Sequence, residues 1–237
     1  MPFSRLEKLS PEKRERLFEV AAQEFASRGF EQASLNRILD QAQMGKGSAY
    51  YYFEDKADLF CTVIAYASER LHLADLSVDL TTLTAETFWP TFARLHREPL
   101  LRSFEQPWLF RVLRAPARLS PTLWEREPLA RLWQQFNTLV MQLIKRGQEL
   151  GVIRADLPDD LLSTWIFALD QASDQWLMSH WEQMDRQACA AFSGTTVAAL
   201  SQALAPGASP PFQTAQADTL MVKTDAPPRP GQSPAQA

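Results

Sequence analysis

The sequence predicts an all-α protein, and three observations carry that reading. Alternating β-branched runs, the mark of half-buried strands, are nearly absent. Apolar residues instead recur at three- and four-residue spacing as far as about residue 204. Serines, prolines and glycines fall where such helices start and stop. The composition suits a soluble globular chain: 237 residues, 46% hydrophobic and 22% charged, enough for a sizeable core in one large domain or two small ones.

Ser10 before Pro11 is a cap followed by proline at the first helical position. Phe18, Ala22 and Phe25 share one face, with Leu17 and Ala21 beside it, and Gly29 stops a first helix predicted over 11–28. Ser34 caps a second helix, 35–41, whose buried face is Leu35, Ile38 and Leu39. A turn at 42–45 leads to a third, 46–52. Glu54 and Asp55 open a fourth that runs to about 73, with Leu59, Phe60, Val63, Ile64 and Ala67 as its stripe.

Beyond residue 75 the character changes, and all seven tryptophans lie there. Helices are predicted near 84–97, 100–114, 121–149, 158–181 and 184–204, with prolines 99, 107, 116, 121, 128 and 158 marking starts, breaks or kinks. Helix 158–181 is apolar on two sides. Leu161, Trp165, Ala168, Ala172 and Trp176 form one side; Leu162, Ile166, Leu169 and Leu177 form the other. From Ala205 the pattern collapses: the last 33 residues hold seven of the sixteen prolines. Such a segment buries too little surface to offset its ordering entropy, so 205–237 reads as a disordered tail.

Several classes of function find no support. The net charge of −4 gives no overall basic field. Cys61 and Cys189 lie far apart in apolar helical patterns and read as buried thiols. His72, His96 and His180 form no close-spaced metal motif, no catalytic constellation stands out, and no cofactor is expected. The start has no apolar signal-peptide core and no apolar run is long enough to span a membrane, so a cytoplasmic protein is expected.

The most informative segment is GKGSAYYYFEDKADLF at 45–60. Two short helices joined by a tight turn have the geometry of a helix-turn-helix. Gly45 and Gly47 let the backbone approach phosphate closely, and Lys46 adds a charge at the helix start. Ser48 can bond a base edge or a phosphate. Ala49 and Phe53, four apart, face inward. Tyr50, Tyr51 and Tyr52 cannot all be core, because three consecutive positions span most of the helix circumference. Lys56 sits in the first turn of a helix, poorly placed for the dipole, and a phosphate partner would explain it.

Residues 11–60 resemble the DNA-binding domain of the TetR family of transcriptional regulators. The resemblance rests on EFASRGF at 24–30, the Ser34 cap, GSAYYYF at 47–53 and KADLF at 56–60, in matching order and spacing. Two positions depart from the pattern. Gln43 stands where a turn glycine is usual, which asks either for a positive φ at Gln43 or for a shifted turn, and Gly45 stands where a serine or threonine cap is usual.

The resemblance implies a three-helix helix-turn-helix DNA-binding domain at 1–56 and a helical ligand-binding and dimerisation domain at 57–204. It implies DNA contacts at Ser34, Arg37, Lys46, Gly47, Ser48, Tyr50, Tyr51, Tyr52 and Lys56. It also implies a homodimer on a palindromic double-stranded operator, paired through the last two helices. A small apolar or aromatic ligand is expected among the middle helices, with Trp89, Phe92, Phe104, Trp108, Phe110, Arg111, Trp133, Phe136 and Trp165 as lining candidates. The same aromatic residues could equally fill the core. A ligand-responsive repressor is the expected function; a helical adaptor or a helical enzyme is the alternative. Residues 1–60 hold nine Lys/Arg against ten Asp/Glu, so binding is expected to use few phosphate contacts.

Overall fold

A computed structural model of the chain describes residues 6, 8–71, 78–104, 106–114, 123, 125–127 and 129–207. Every regular element among these residues is helical. We number the α-helices α1 Pro11–Gln32, α2 Leu35–Gln41, α3 Lys46–Tyr52, α4 Lys56–Arg70, α5 Ala85–Arg102, α6 Pro107–Arg114, α7 Leu129–Glu149, α8 Asp159–His180 and α9 Arg186–Ala203. Short 3-10 turns occupy Leu80–Thr82 and Trp181–Gln183.

Several boundaries differ from expectation, each for a local reason. α1 continues past residue 28 to Gln32, but across a break: Gly29 takes φ 71°, ψ 169°, a conformation open to glycine. α4 ends at Arg70 rather than 73, with Leu71 closing onto the Ala67 carbonyl. Pro99 does not separate two helices. α5 runs through it to Arg102, and the break falls at Ser103, whose buried hydroxyl donates to the Leu100 carbonyl at 2.5 Å. α7 begins at Leu129; at 125–127 the chain turns, and 121, 122, 124 and 128 lie outside the described residues. So does the predicted tail from 208 onward.

Among the described residues, three apolar clusters form the core. The first joins Leu17, Phe18, Phe25, Ile38, Leu39, Ala49, Phe53 and Phe60 of the N-terminal helices, and it continues into Trp108, Leu109 and Val112 of α6, then Leu123 and Leu129. The second packs α5, α7, α8 and α9 around Phe88, Phe92, Ile144, Leu162, Ile166, Val197 and Leu200. A third gathers Leu100, Phe110, Leu177, Trp181 and Cys189. The two thiols are buried, and burial pushes Cys61 up to about 11. α8 separates its two sides: Leu162, Ile166 and Leu177 are buried, while Trp165, Ala168, Ala172 and Trp176 are exposed. No helix among the described residues is long and apolar enough to cross a membrane.

Candidate nucleic-acid interface

The turn between α2 and α3 sets the site. Gln43 adopts φ 56°, the left-handed conformation that was one of the two outcomes expected there. The Met44 N–H closes onto the Leu39 carbonyl at 2.9 Å, and Gly45 caps α3 through its backbone alone. α3 then buries Ala49 and delivers Phe53 into the first cluster. That choice of inward face throws Lys46, Gly47, Ser48, Tyr50 and Tyr51 outward. Tyr50 is 58% and Tyr51 47% exposed, whereas Tyr52 is half-buried with its ring edge-on to Tyr51. A β-carbon added at Gly47 meets nothing within 4 Å, and Gly47 has no positive φ. Nothing within the described chain therefore calls for a glycine there, although glycine within a helix costs roughly 0.5–1 kcal/mol relative to alanine.

The bracing helix is fixed by a buried carboxylate. Glu24, 6% exposed, accepts from the Ser34 N–H at 3.0 Å and from Arg37 Nη1 at 3.2 Å, and pairs with Arg28 at 3.5 Å. Ser34 Oγ accepts from the Arg37 N–H at 3.4 Å, capping α2. One acidic side chain on α1 thus fixes the start of α2 and holds the guanidinium of Arg37. Sequence reading passed over Glu24. Its signal was a glutamate at a position of α1 flanked by Phe25 and Ala21, where burial requires a partner.

Lys56 also has an internal role that sequence reading did not anticipate. Its ammonium donates to the carbonyls of Glu31 at 3.0 Å and Ala33 at 3.1 Å, and lies 4.6 Å from the Phe30 ring centroid. It neutralises the C-terminal end of α1 rather than sitting misplaced at the start of α4. Its neighbour Asp55 caps α4 by accepting from the Asp58 N–H at 2.7 Å, and forms a two-bond pair with Arg126 at 3.0 Å in each bond. Burial pushes the Asp55 carboxyl up, but the bonds from Arg126 and from the Asp58 N–H outweigh it and hold it below the usual range. Lys8 was also missed. Its ammonium donates to the Tyr51 hydroxyl at 2.7 Å.

The nine pocket candidates are distributed rather than gathered. Trp108 belongs to the N-terminal cluster. Phe92 and Trp89 belong to the second cluster. Phe110 and Phe104 stack on Trp181 at 4.9 and 4.8 Å in the third. Arg111 lines a small cleft of about 270 Å³ with Met178, His180 and Glu182. Trp133 and Phe136 converge on Phe167, with centroids at 4.9 and 5.7 Å. Trp165 lies beneath Arg154 at 5.9 Å.

His96 and Asp170 meet at 2.9 Å, and the other imidazole nitrogen meets the Ser193 hydroxyl at 2.6 Å. That trio ties α5 to α8 and α9. Ser193 is 1% exposed, so no substrate carbonyl reaches its oxygen.

Comparison with known proteins agrees with this geometry. Residues 17–62 match bacterial regulatory proteins of the tetR family. The chain is 29% identical over 163 residues to the HTH-type transcriptional repressor DhaR of Mycobacterium sp. strain GP1, covering 65% of this chain and 77% of that one. It is 23% identical over 154 residues to the HTH-type transcriptional repressor AcnR of Corynebacterium diphtheriae, covering 65% and 75%. In fold it is similar to the transcriptional regulator FadR of Bacillus subtilis, solved in complex with stearoyl-CoA. The TM-score is 0.61 at 18% identity, over 80% of this chain and 98% of that one.

Proposed function

We propose that this chain, a TetR-family transcriptional regulator, acts as a ligand-responsive homodimeric repressor on a palindromic operator. The observation that carries the DNA contact is the outer face of α3. Lys46, Ser48, Tyr50 and Tyr51 surround a glycine that the fold itself does not require. A duplex backbone pressed against Gly47 supplies the missing reason. In this reading Lys46, Gly47, Ser48, Tyr50 and Tyr51 meet the DNA directly. Ser34, Arg37, Tyr52 and Lys56 border the contact while also serving internal roles.

Dimerisation through α8 and α9 is supported by their outer faces. Trp165, Ala168, Ala172 and Trp176 on α8 lie exposed, and so do Ala191, Gly194, Thr195 and Ala198 on α9. An apolar stripe beside small residues suits close packing against a symmetry mate. Two recognition helices one DNA turn apart then read two half-sites.

Ligand control works as a population shift: a ligand that prefers one dimer geometry alters the spacing of the two α3 helices. The class favoured is a small apolar or aromatic molecule, and the Trp133–Phe136–Phe167 group between α7 and α8 is the best supported contact, because Phe136 is left 47% exposed. Coupling to DNA is supported by Leu123, Arg126 and Leu129, which lead into α7 and grip the N-terminal core and Asp55.

The test is a fluorescence titration of labelled DNA from upstream of the chain's own gene. Specific binding with a shallow dependence of log K on log salt is expected, because few cations face outward. No specific binding, or a slope near −10, overturns the reading of the contact face.

A further inference from the structure

Lys8 lies before the first helix, outside every contact assigned above. Its backbone is nevertheless anchored on both sides. Leu6 is buried in the first cluster, Leu9 packs against it, and the Leu9 N–H donates to the Leu6 carbonyl at 3.1 Å. This turn holds Lys8 outward, across the exposed face of α3. The ammonium reaches the Tyr51 hydroxyl at 2.7 Å and lies 5.4 Å from the ring centroid of the same tyrosine.

We propose that Lys8 is a DNA-contacting residue that acts with Tyr51 as one unit. The proposal rests on the DNA-binding reading of α3. An ammonium carries three donors, so the Tyr51 hydroxyl accounts for one of them and a phosphate oxygen can take another. Cation and ring fix each other, which orders a long lysine before the duplex arrives and lowers the entropy cost of binding. A hydroxyl that accepts from an ammonium is polarised and donates more strongly. Lys8 also meets the charge problem of this domain, where acids outnumber bases. It adds a lysine near the end of α3 opposite Lys46, while Arg37 and Lys56 are engaged within the protein.

The full chain and its Lys8→Gln, Lys8→Arg, Tyr51→Phe and Lys8→Gln/Tyr51→Phe variants are titrated, at several salt concentrations, against duplexes selected by the wild-type protein from a random pool. Lys8→Gln is expected to weaken binding about tenfold and to flatten the slope of log K against log salt by about 0.9 for each subunit's lost phosphate contact. Lys8→Arg keeps the slope. Tyr51→Phe weakens binding a few-fold, and the double variant binds within about twofold of Lys8→Gln alone, because the pair acts as a unit. An unchanged slope in Lys8→Gln overturns the proposal while leaving the DNA-binding reading intact. Additive losses in the double variant overturn the joint action. Failure to enrich any duplex overturns both the DNA-binding reading and the proposal.

Discussion

Exposed aromatic rings mark both α3 and α8, and their surroundings differ. On α3, Tyr50 and Tyr51 stand beside Lys46, Gly47 and Ser48, with Lys8 bonded to a phenol. On α8, Trp165 and Trp176 share the exposed side with Ala168 and Ala172, and Trp176 stacks on Phe192 of α9. The first face carries two phenol hydroxyls, with Lys8 bonded to Tyr51 and Lys46 exposed on the same helix, which suits a wet, anionic partner. The second face offers mostly apolar area, with Arg154 over Trp165, which suits a drier, close-fitting one. Each face also holds a helical glycine, Gly47 or Gly194, at which an added β-carbon meets nothing within 4 Å. Gly147 is the opposite case: there a β-carbon would lie 2.7 Å from Ile153 and 2.9 Å from Phe88.

The largest effect is expected on the α8 face. Trp176→Glu should convert a dimer to a monomer in sedimentation, and specific DNA affinity should fall by roughly 10²–10⁴-fold, because two half-sites are no longer engaged together. A dimer that survives this charge would place the partner surface elsewhere. Next comes Lys46→Ala with Tyr51→Ala. Affinity should drop by about 10–100-fold while sedimentation is unchanged. Loss of both properties at once would erase the distinction between the two faces.

Glycine replacement sharpens the contrast further. Gly47→Ala should raise unfolding stability by roughly 0.5–1 kcal/mol in denaturant melts yet weaken operator binding. Gly147→Ala should instead lower stability by about 1–3 kcal/mol, since Ile153 and Phe88 must move. A Gly47→Ala protein that binds DNA as wild type would remove the argument from backbone approach.

The smallest effect concerns Asp55 and Arg126. The Asp55 carboxyl sits below its unfolded range, so its contribution is complete above that range and disappears as pH falls through the lower folded value. The pair is about half exposed, at 46% and 49%, so it is worth about 0.5 kcal/mol. Arg126→Gln should melt slightly below wild type at pH 7, and the gap should close in strongly acidic buffer. A gap that persists there would assign the loss to packing.

How far the sequence could be read depended on the range of each interaction. The turn was legible because a backbone requirement is local: Gln43 stands where a positive φ or a shifted turn was needed, and it adopts the positive φ. Ser34 and Asp55 are helix caps read within three residues of their partners. The roles of Arg37 and Lys56 were not legible in the same way. Their partners lie 13 to 25 residues away, on α1 and its C-cap, and no periodicity encodes that pairing. The aromatic residues after 75 were least legible. Core filling and ligand lining use the same side chains, and assembly in three dimensions sent them to separate clusters.

The core cluster that runs from Phe18 to Trp108, Val112 and Leu129 bears on how such a chain can be cut and rejoined. A hybrid regulator spliced just after α4 would leave the inner wall of its reading head bare, without the indole of Trp108 stacked on Tyr66 at 6.2 Å or the guanidinium of Arg126 on Asp55. The functional cassette is longer than the motif that identifies it. A transplant that keeps its solubility and its operator should carry its own α6 and the approach to α7, and exchange begins only beyond that seam.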